Sequence, residues 1–128
     1  MKTVSAHGLA GEDGLAGSAF HFTASMIGPA CDGGQATQGT FVAREFSLDV
    51  VPAEAVLSLS ALGLYRAFLN GKRVGTDLLT PGWTCYDDRI AYQAYDVAKL
   101  LQPGNNRIEI WLGDGWYRSQ LMLSLIHI

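Results

Sequence analysis

The sequence predicts an all-β fold, an antiparallel β-sandwich built from short strands. Several segments alternate apolar and polar residues with a period of two, turn signals separate them at spacings of about ten residues, and no segment carries an apolar stripe over three helical turns. The length of 128 residues suits one domain with a single hydrophobic core. These observations together favour a sandwich or a jelly roll.

The strand-rich part of the chain begins near Thr40. Alternation over 45–50 predicts a half-buried first strand, which ends at Pro52. The odd-numbered positions of 55–61 are all apolar, so a second strand follows with that side toward the core. A bend or bulge is predicted at Gly63.

A β-hairpin is the strongest local signal in the chain. The third strand, 65–69, meets Asn70-Gly71, and both residues tolerate the positive φ of a type I′ turn. Residues 72–74 are therefore predicted to return as a short arm. Beyond a loop rich in Pro, Gly and Trp, 90–97 is predicted to be extended with one irregularity.

The last predicted strand follows a short helical turn and a loop. We expect a single helical turn at 99–101 and a turn at 102–106, whose composition is Gln-Pro-Gly-Asn-Asn. In 107–112 three aliphatic residues alternate with an arginine, a glutamate and a tryptophan, which is the clearest strand pattern of the chain.

Charge and composition exclude several kinds of partner. Nine Lys and Arg against twelve Asp and Glu give a net charge of -3, so there is no basic surface for a phosphate backbone or an anionic membrane. The sequence has no apolar run long enough to span a bilayer. We therefore expect neither nucleic acid nor a membrane as partner. No secretion signal is evident at the start, which favours a cytoplasmic location.

The texture of the sequence divides the chain into three parts. Residues 1–39 hold eight of the fifteen glycines and show no period, so they are predicted to be a glycine-rich linker or a partly ordered leader. Residues 40–120 are predicted to form the sandwich. Residues 121–128 are an apolar tail without charge, atypical of the rest.

The usual constellations of nucleophilic and metal chemistry are missing. His7, His21 and His127 all lie outside the strand-rich part, so a Ser-His triad is not predicted. Cys31 and Cys85 are too far apart in sequence for a zinc or redox motif. Glycoside hydrolysis needs two facing carboxylates, and no such pair stands out in the sequence. We expect no catalytic residue in this chain.

Two loops combine aromatic rings with acids, a mixture that suits recognition of a sugar. The candidate carbohydrate-binding residues are Trp83, Tyr86, Asp87, Asp88, Asp114 and Trp116. Carboxylates on loops can also gather calcium, for which Asp87 and Asp88 are the candidates. Alternatively, the tryptophans plug the ends of the sandwich and the adjacent acids form a solvated turn.

An ordered set of motifs carries a family resemblance. The motifs are ALGLY at 61–65, LNGKRVG at 69–75, LTPGWT at 79–84, YQAYDV at 92–97, LLQPGNN at 100–106 and LGDGWYR at 112–118. In this order they closely resemble the N-terminal β-sandwich domain of bacterial α-L-rhamnosidases of glycoside hydrolase family 78, over about 44–118. The resemblance implies a galactose-binding-like jelly roll.

The same resemblance implies a function for the longer parent enzyme. Such an enzyme removes terminal L-rhamnose with inversion, using carboxylates in a downstream (α/α)6 catalytic domain. This segment would then be an accessory module that supports that domain and recognises rhamnose-containing glycans or glycosides, with no cofactor required. Some similar domains are calcium-dependent rhamnose-binding modules, which would place calcium at Asp87 and Asp88, with Trp83 and Trp116 as stacking faces.

Two other functions fit the same residues. One is a free-standing calcium-dependent rhamnose-binding module, and the other is a purely structural sandwich domain of another glycosidase. The sequence also departs from the family pattern after Arg118, in the segment 121–128. We therefore expect the sandwich to be truncated at its C-terminal end, and the tail to be foreign sequence from an adapter or a shifted reading frame.

Overall fold

The computed structural model describes residues 25–28 and 39–118, and the rest of the predicted leader and the whole tail lie outside these residues. Six strands, one 3₁₀ turn at Ala98–Leu100 and one short helix make up the fold. They are β1 (Thr40–Leu48), β2 (Val56–Leu59), β3 (Leu64–Leu69), β4 (Lys72–Arg73), β5 (Gln93–Asp96), β6 (Gly104–Gly113) and α1 (Gly115–Arg118).

The strands form two antiparallel sheets. The larger sheet has the strand order β1-β6-β3-β4, and the smaller one pairs β2 with β5. This arrangement confirms the predicted all-β sandwich. Within the described part of the chain, no helix is long and apolar enough to cross a bilayer.

The hydrophobic core lies between the two sheets. Its fully buried members include Ala67 and Leu69 of β3, together with Val74 and Val97. Partly buried residues from both sheets surround them: Phe46, Ala55, Leu57, Leu59, Tyr95, Leu100, Leu101, Ile108 and Ile110. The side of β2 that the alternation predicted to face inward does so.

Strand pairing explains where the first strand differs from its prediction. The alternation predicted 45–50, whereas β1 runs from Thr40 to Leu48 and Val50 is 79% exposed. Each residue of β1 is paired with one of β6, and the last pair joins Leu48 to Gly104, where β6 begins. Beyond that pair β1 has no partner among the described strands, so the alternating residues up to Val50 do not extend the strand.

The fifth strand is also shorter than predicted. Of the segment 90–97, only Gln93–Asp96 forms a strand, because β5 pairs with the four residues of β2. The predicted helical turn is present as the 3₁₀ turn, one residue earlier than expected. The helix α1 was not predicted.

The hairpin between β3 and β4 has the predicted geometry. Asn70 and Gly71 both adopt positive φ, at 52° and 75°. The Asn70 backbone N–H donates to the Arg107 carbonyl at 2.8 Å, and the Arg107 N–H donates to the Asn70 side-chain oxygen at 2.9 Å. The turn is therefore bonded directly to β6, the central strand of the larger sheet.

Asn106 of β6 connects this turn to the rest of the fold. Its side chain is 1% exposed, and Oδ1 accepts from Asn70 Nδ2 at 2.8 Å and from the Gln102 N–H at 2.9 Å. Its Nδ2 donates to the carbonyls of Gln102 and Gly104, at 2.7 and 3.0 Å. Asn70 Nδ2 also donates to the Leu100 carbonyl at 2.9 Å. The carboxamide of Asn106 thus uses both donors and both acceptor positions.

We predict that Asn106→Ala lowers the free energy of unfolding by about 2–4 kcal/mol, because several buried backbone groups lose their partner. Chemical denaturation measures this loss. The control is Asn105→Ala, which removes an exposed side chain that accepts one hydrogen bond from Ser47. A loss of equal size in both variants would contradict the role assigned to Asn106.

Candidate functional site

Close packing of glycines positions the segment that carries Asp114 and Trp116. Gly63 adopts a φ of 131°, and a Cβ there would collide with the Gly113 carbonyl oxygen. Gly115 adopts a φ of 56°, and a Cβ there would lie 2.7 Å from Leu64 Cγ. The backbone before α1 therefore lies directly against the start of β3, which only glycine permits at these positions.

A polar network crosses between the two sheets beneath the loop that carries Trp83. The hydroxyl of Tyr65 on β3 donates to Gln93 Oε1 on β5 at 2.7 Å and lies 3.4 Å from the hydroxyl of Tyr95. Tyr95 in turn donates to Asp77 Oδ2 at 3.0 Å. The network therefore joins the larger sheet, the smaller sheet and the loop that follows β4.

The same residues hold the Pro81 segment. Gln93 Nε2 donates to the Pro81 carbonyl at 3.1 Å. Thr80 Oγ1 donates to the Tyr65 carbonyl at 3.0 Å, and the Tyr65 N–H donates to the Thr80 carbonyl at 2.9 Å. The backbone immediately before Trp83 is fixed on both sheets.

Burial raises the pKa of both tyrosine hydroxyls in the network. Desolvation is the main cause at Tyr95, and the hydrogen bonds with Tyr65 and Asp77 raise the pKa of Tyr95 further. At Tyr65 desolvation outweighs the opposing effect of the hydrogen bond with Tyr95. The folded protein therefore keeps these phenols protonated at a pH where a free tyrosine ionises.

Trp83 is the most accessible of the three aromatic residues among the predicted sugar-binding residues. It is 66% exposed and follows the fixed Pro81 segment. The next loop closes on itself, because the N–H groups of Asp88 and Arg89 both donate to the Cys85 carbonyl at 2.9 Å. An exposed indole on a well-held backbone can offer its face to a ligand at little cost in ordering.

Tyr86 and Trp116 are less accessible than Trp83. The ring of Tyr86 meets the ring of Tyr117 edge to face, with centroids 5.2 Å apart, so the loop and α1 are neighbours. The Tyr86 hydroxyl is enclosed and has no hydrogen-bond partner among the described residues. Trp116 is partly buried. The placement of Tyr86 and Trp116 favours the alternative in which rings close the end of the sandwich.

Asp87 and Asp88, the candidate calcium ligands, lie next to each other in the loop after Trp83. Asp87 and Asp88 are exposed, and Asp88 accepts a hydrogen bond from the Cys85 thiol, which raises the pKa of Cys85. Within residues 25–28 and 39–118 no group of three or more His, Cys, Asp or Glu side chains converges on one point. Calcium takes six to eight oxygen ligands, so a calcium site here would need backbone carbonyls or waters beside these two carboxylates.

The outer face of the larger sheet carries aromatic residues that the sequence reasoning did not select. Phe41 of β1 and Trp111 of β6 are 63% and 54% exposed and lie directly opposite each other in register. Arg66 of β3 lies opposite Trp111 on its other side. The ring of Phe68 is 5.1 Å from that of Trp111, centroid to centroid. We call Phe41, Arg66, Phe68 and Trp111 the outer-sheet patch.

A shallow polar depression of about 330 Å³ lies beside Asn70 and Asn106. Its lining includes Gln102, Asn105 and Arg107. The carboxamides of Asn70 and Asn106 are already bonded to the chain, so this depression is a by-product of the structural network.

Fold and loops define a small antiparallel sandwich domain with accessible aromatic side chains. A family model described as the alpha-L-rhamnosidase N-terminal domain matches residues 51–125, more than half of the chain. The chain therefore belongs to the family of alpha-L-rhamnosidase N-terminal domains, as its motifs indicated.

Relatives of known sequence and structure agree with this assignment. An alpha-L-rhamnosidase of Streptomyces avermitilis is 51% identical over 65 residues, which are 51% of this chain and 6% of the relative. A crystal structure of native alpha-L-rhamnosidase from Aspergillus terreus matches with a TM-score of 0.63 and 41% identity, over 67% of this chain and 10% of that one. The chain spans about a tenth or less of the length of these enzymes.

A third comparison concerns a structure with sugar bound. The Streptomyces avermitilis alpha-L-rhamnosidase complexed with L-rhamnose matches with a TM-score of 0.58 and 45% identity. The match covers 62% of this chain and 8% of that enzyme.

We predict that Gly63→Ala lowers the free energy of unfolding by about 2–3 kcal/mol, because the backbone conformation and the Gly113 carbonyl both oppose a Cβ. The matched control is Gly113→Ala, since a Cβ at Gly113 would meet nothing within 4 Å. Thermal unfolding of the two variants measures the difference. A Gly63→Ala variant as stable as Gly113→Ala would contradict the close approach.

Stability should fall as the pH rises above about 10. Below that pH the phenols are protonated in both states, whereas above it the unfolded chain ionises and the folded chain holds the protons of Tyr65 and Tyr95. Tyr95→Phe should therefore reduce the slope of unfolding free energy against pH in the alkaline range. Tyr117→Phe, which removes a hydroxyl outside the network, is the control and should leave the slope unchanged.

Proposed function

We propose that this chain is the non-catalytic N-terminal accessory module of an α-L-rhamnosidase. The parent enzyme hydrolyses terminal α-L-rhamnose from glycosides with inversion, through a pair of carboxylates in a downstream (α/α)6 domain. The observation that carries the proposal is the family match over residues 51–125 in a chain that spans only about a tenth of its relatives.

The carboxylates of the larger sheet support a non-catalytic role. Glu45 and Glu109 both pair with Arg107, at 3.2 and 2.6 Å, and all three lie on the outer face of the sheet. An inverting glycosidase needs one protonated acid and one base on opposite sides of a sugar ring. Glu45 and Glu109 instead contact one guanidinium on the face of a sheet, which is not that arrangement.

The first experiment measures hydrolysis of an aryl α-L-rhamnoside. The purified chain of 128 residues should release no more aryl alcohol than a buffer blank. The full-length Streptomyces avermitilis enzyme serves as the positive control. Turnover by the chain alone, lost on heating, would overturn the proposal.

A second experiment tests the accessory role directly. Residues 51–118 of this chain replace the matching segment of the Streptomyces avermitilis enzyme, and deletion of that segment is the comparison. The graft should keep rhamnoside hydrolysis within about threefold of the parent, whereas the deletion should lose soluble, active enzyme. A graft that is folded but as inactive as the deletion would contradict the proposal.

We further propose that the module contributes to recognition of rhamnose-containing glycans through the Trp83 loop. Exposure of Trp83 on a fixed backbone supports this role. Asp87 lies in the adjacent exposed turn and supplies an acceptor for sugar hydroxyls. Tyr86, Asp88, Asp114 and Trp116 then shape the loops around Trp83.

Trp83→Ala should weaken binding of L-rhamnose at least fivefold, measured by calorimetric titration, because the stacking face is lost. Leu78→Ala, which truncates another exposed apolar side chain, is the control. The affinity should be the same in calcium and in EDTA, because among the described residues no third His, Cys, Asp or Glu side chain joins Asp87 and Asp88 in a metal-binding group. An affinity lost in EDTA and also lost in the Asp87→Ala, Asp88→Ala variant would instead establish a calcium site.

A further inference from the structure

The outer-sheet patch presents an exposed surface on the side of the larger sheet away from the core. Phe41 and Trp111 are more than half exposed. The aliphatic residues that alternate with Trp111 along β6 face the core instead. The ring of Phe68 lies against that of Trp111 and restricts its orientation. Two accessible rings thus lie side by side on two paired strands.

The patch has the dimensions of a small ligand. Phe41, Trp111 and Arg66 lie on three adjacent strands, so they span about 10 Å across the sheet. The next two rows of the outer face hold the ion pairs of Arg107 with Glu45 and Glu109. A stable protein interface buries about 800 Å² on each partner, far more than two rings offer.

Arg66 gives the patch its chemical preference. Its side chain is exposed, and it makes no hydrogen bond or ion pair with any described residue. Glu109, the acid nearest in register, is already bonded to Arg107 at 2.6 Å. A guanidinium with free donors beside aromatic faces fits a ligand that has both a flat apolar face and a carboxylate.

We propose that the outer-sheet patch binds an acidic sugar, a pyranose ring that carries a carboxylate. The apolar face of the ring lies on Trp111 and Phe41, and the carboxylate pairs with Arg66. This site is separate from the Trp83 loop and would let the module hold a glycan that contains uronic acid residues as well as neutral sugars.

The test follows the three indole N–H signals of the chain by NMR during titration with sodium glucuronate or with glucose at equal ionic strength. These two sugars differ only at C6, where glucuronate has a carboxylate and glucose has a hydroxymethyl group. Glucuronate should bind in the millimolar range and shift the signal of Trp111 but not those of Trp83 and Trp116. At low salt its affinity should exceed that of glucose by roughly two- to fivefold, as for an exposed ion pair.

Variants separate the contributions of the two groups. Trp111→Ala should reduce the affinity for both sugars at least fivefold, and Arg66→Gln should bring glucuronate down to the affinity of glucose. Arg44→Gln is the matched control, because Arg44 is an exposed arginine of the same sheet whose position in register belongs to the opposite face. Circular dichroism confirms that each variant is folded.

The proposal would be overturned if the Trp111 signal did not shift at any concentration, or if glucuronate and glucose bound with equal affinity. It would also be overturned if Arg44→Gln lost as much affinity for glucuronate as Arg66→Gln. None of these results bears on rhamnose binding at Trp83, so the two proposals fail separately. Self-association of the chain that Trp111→Ala abolishes would also overturn it, because the patch would then be an interface between copies.

Discussion

Asn106 lies where the central strand of the larger sheet, the β3–β4 hairpin and the 3₁₀ turn meet. Among the described residues few apolar side chains are fully buried, and the smaller sheet has two strands against the four of the larger one. Hydrogen bonds made in that sheltered position are stronger than in water, and each would be costly to leave unmade. The carboxamides of Asn70 and Asn106 therefore fix the relative positions of three elements that the small core alone would hold loosely.

The tyrosine network connects separate elements by hydrogen bonds at one end of the sandwich, as Asn106 does at the other end. Tyr65 and Tyr95 bring polar atoms between the sheets, and each finds a partner on the opposite side or in the loop after β4. These contacts fix the position of the loop before Trp83. Exposure of Trp83 therefore does not imply mobility, and the same bonds that stabilise the sandwich also position its most accessible indole.

Local patterns in the sequence predicted what local physics decides. Asn70-Gly71 requires a type I′ turn, and the alternation in β6 reflects one buried and one open face. Strand ends depended instead on pairing partners distant in sequence, as at Val50, where alternation continues beyond the last pair. Among the candidate site residues, only contacts in space distinguish the enclosed Tyr86 from the exposed Trp83. Trp111 could be recognised in the sequence as a tryptophan on the polar side of a predicted strand.

Several carboxylates of the described residues make contacts within the fold. Glu45 and Glu109 neutralise Arg107, Asp77 accepts from Tyr95, and Asp96 accepts from the backbone of the 3₁₀ turn. An acid used in this way contributes to the fold through its hydrogen bonds. Exposed aromatic faces and Arg66, whose side chain makes no hydrogen bond or ion pair with a described residue, are among the groups available to a ligand. In the proposed accessory module, such groups hold a sugar while bond cleavage occurs in another domain.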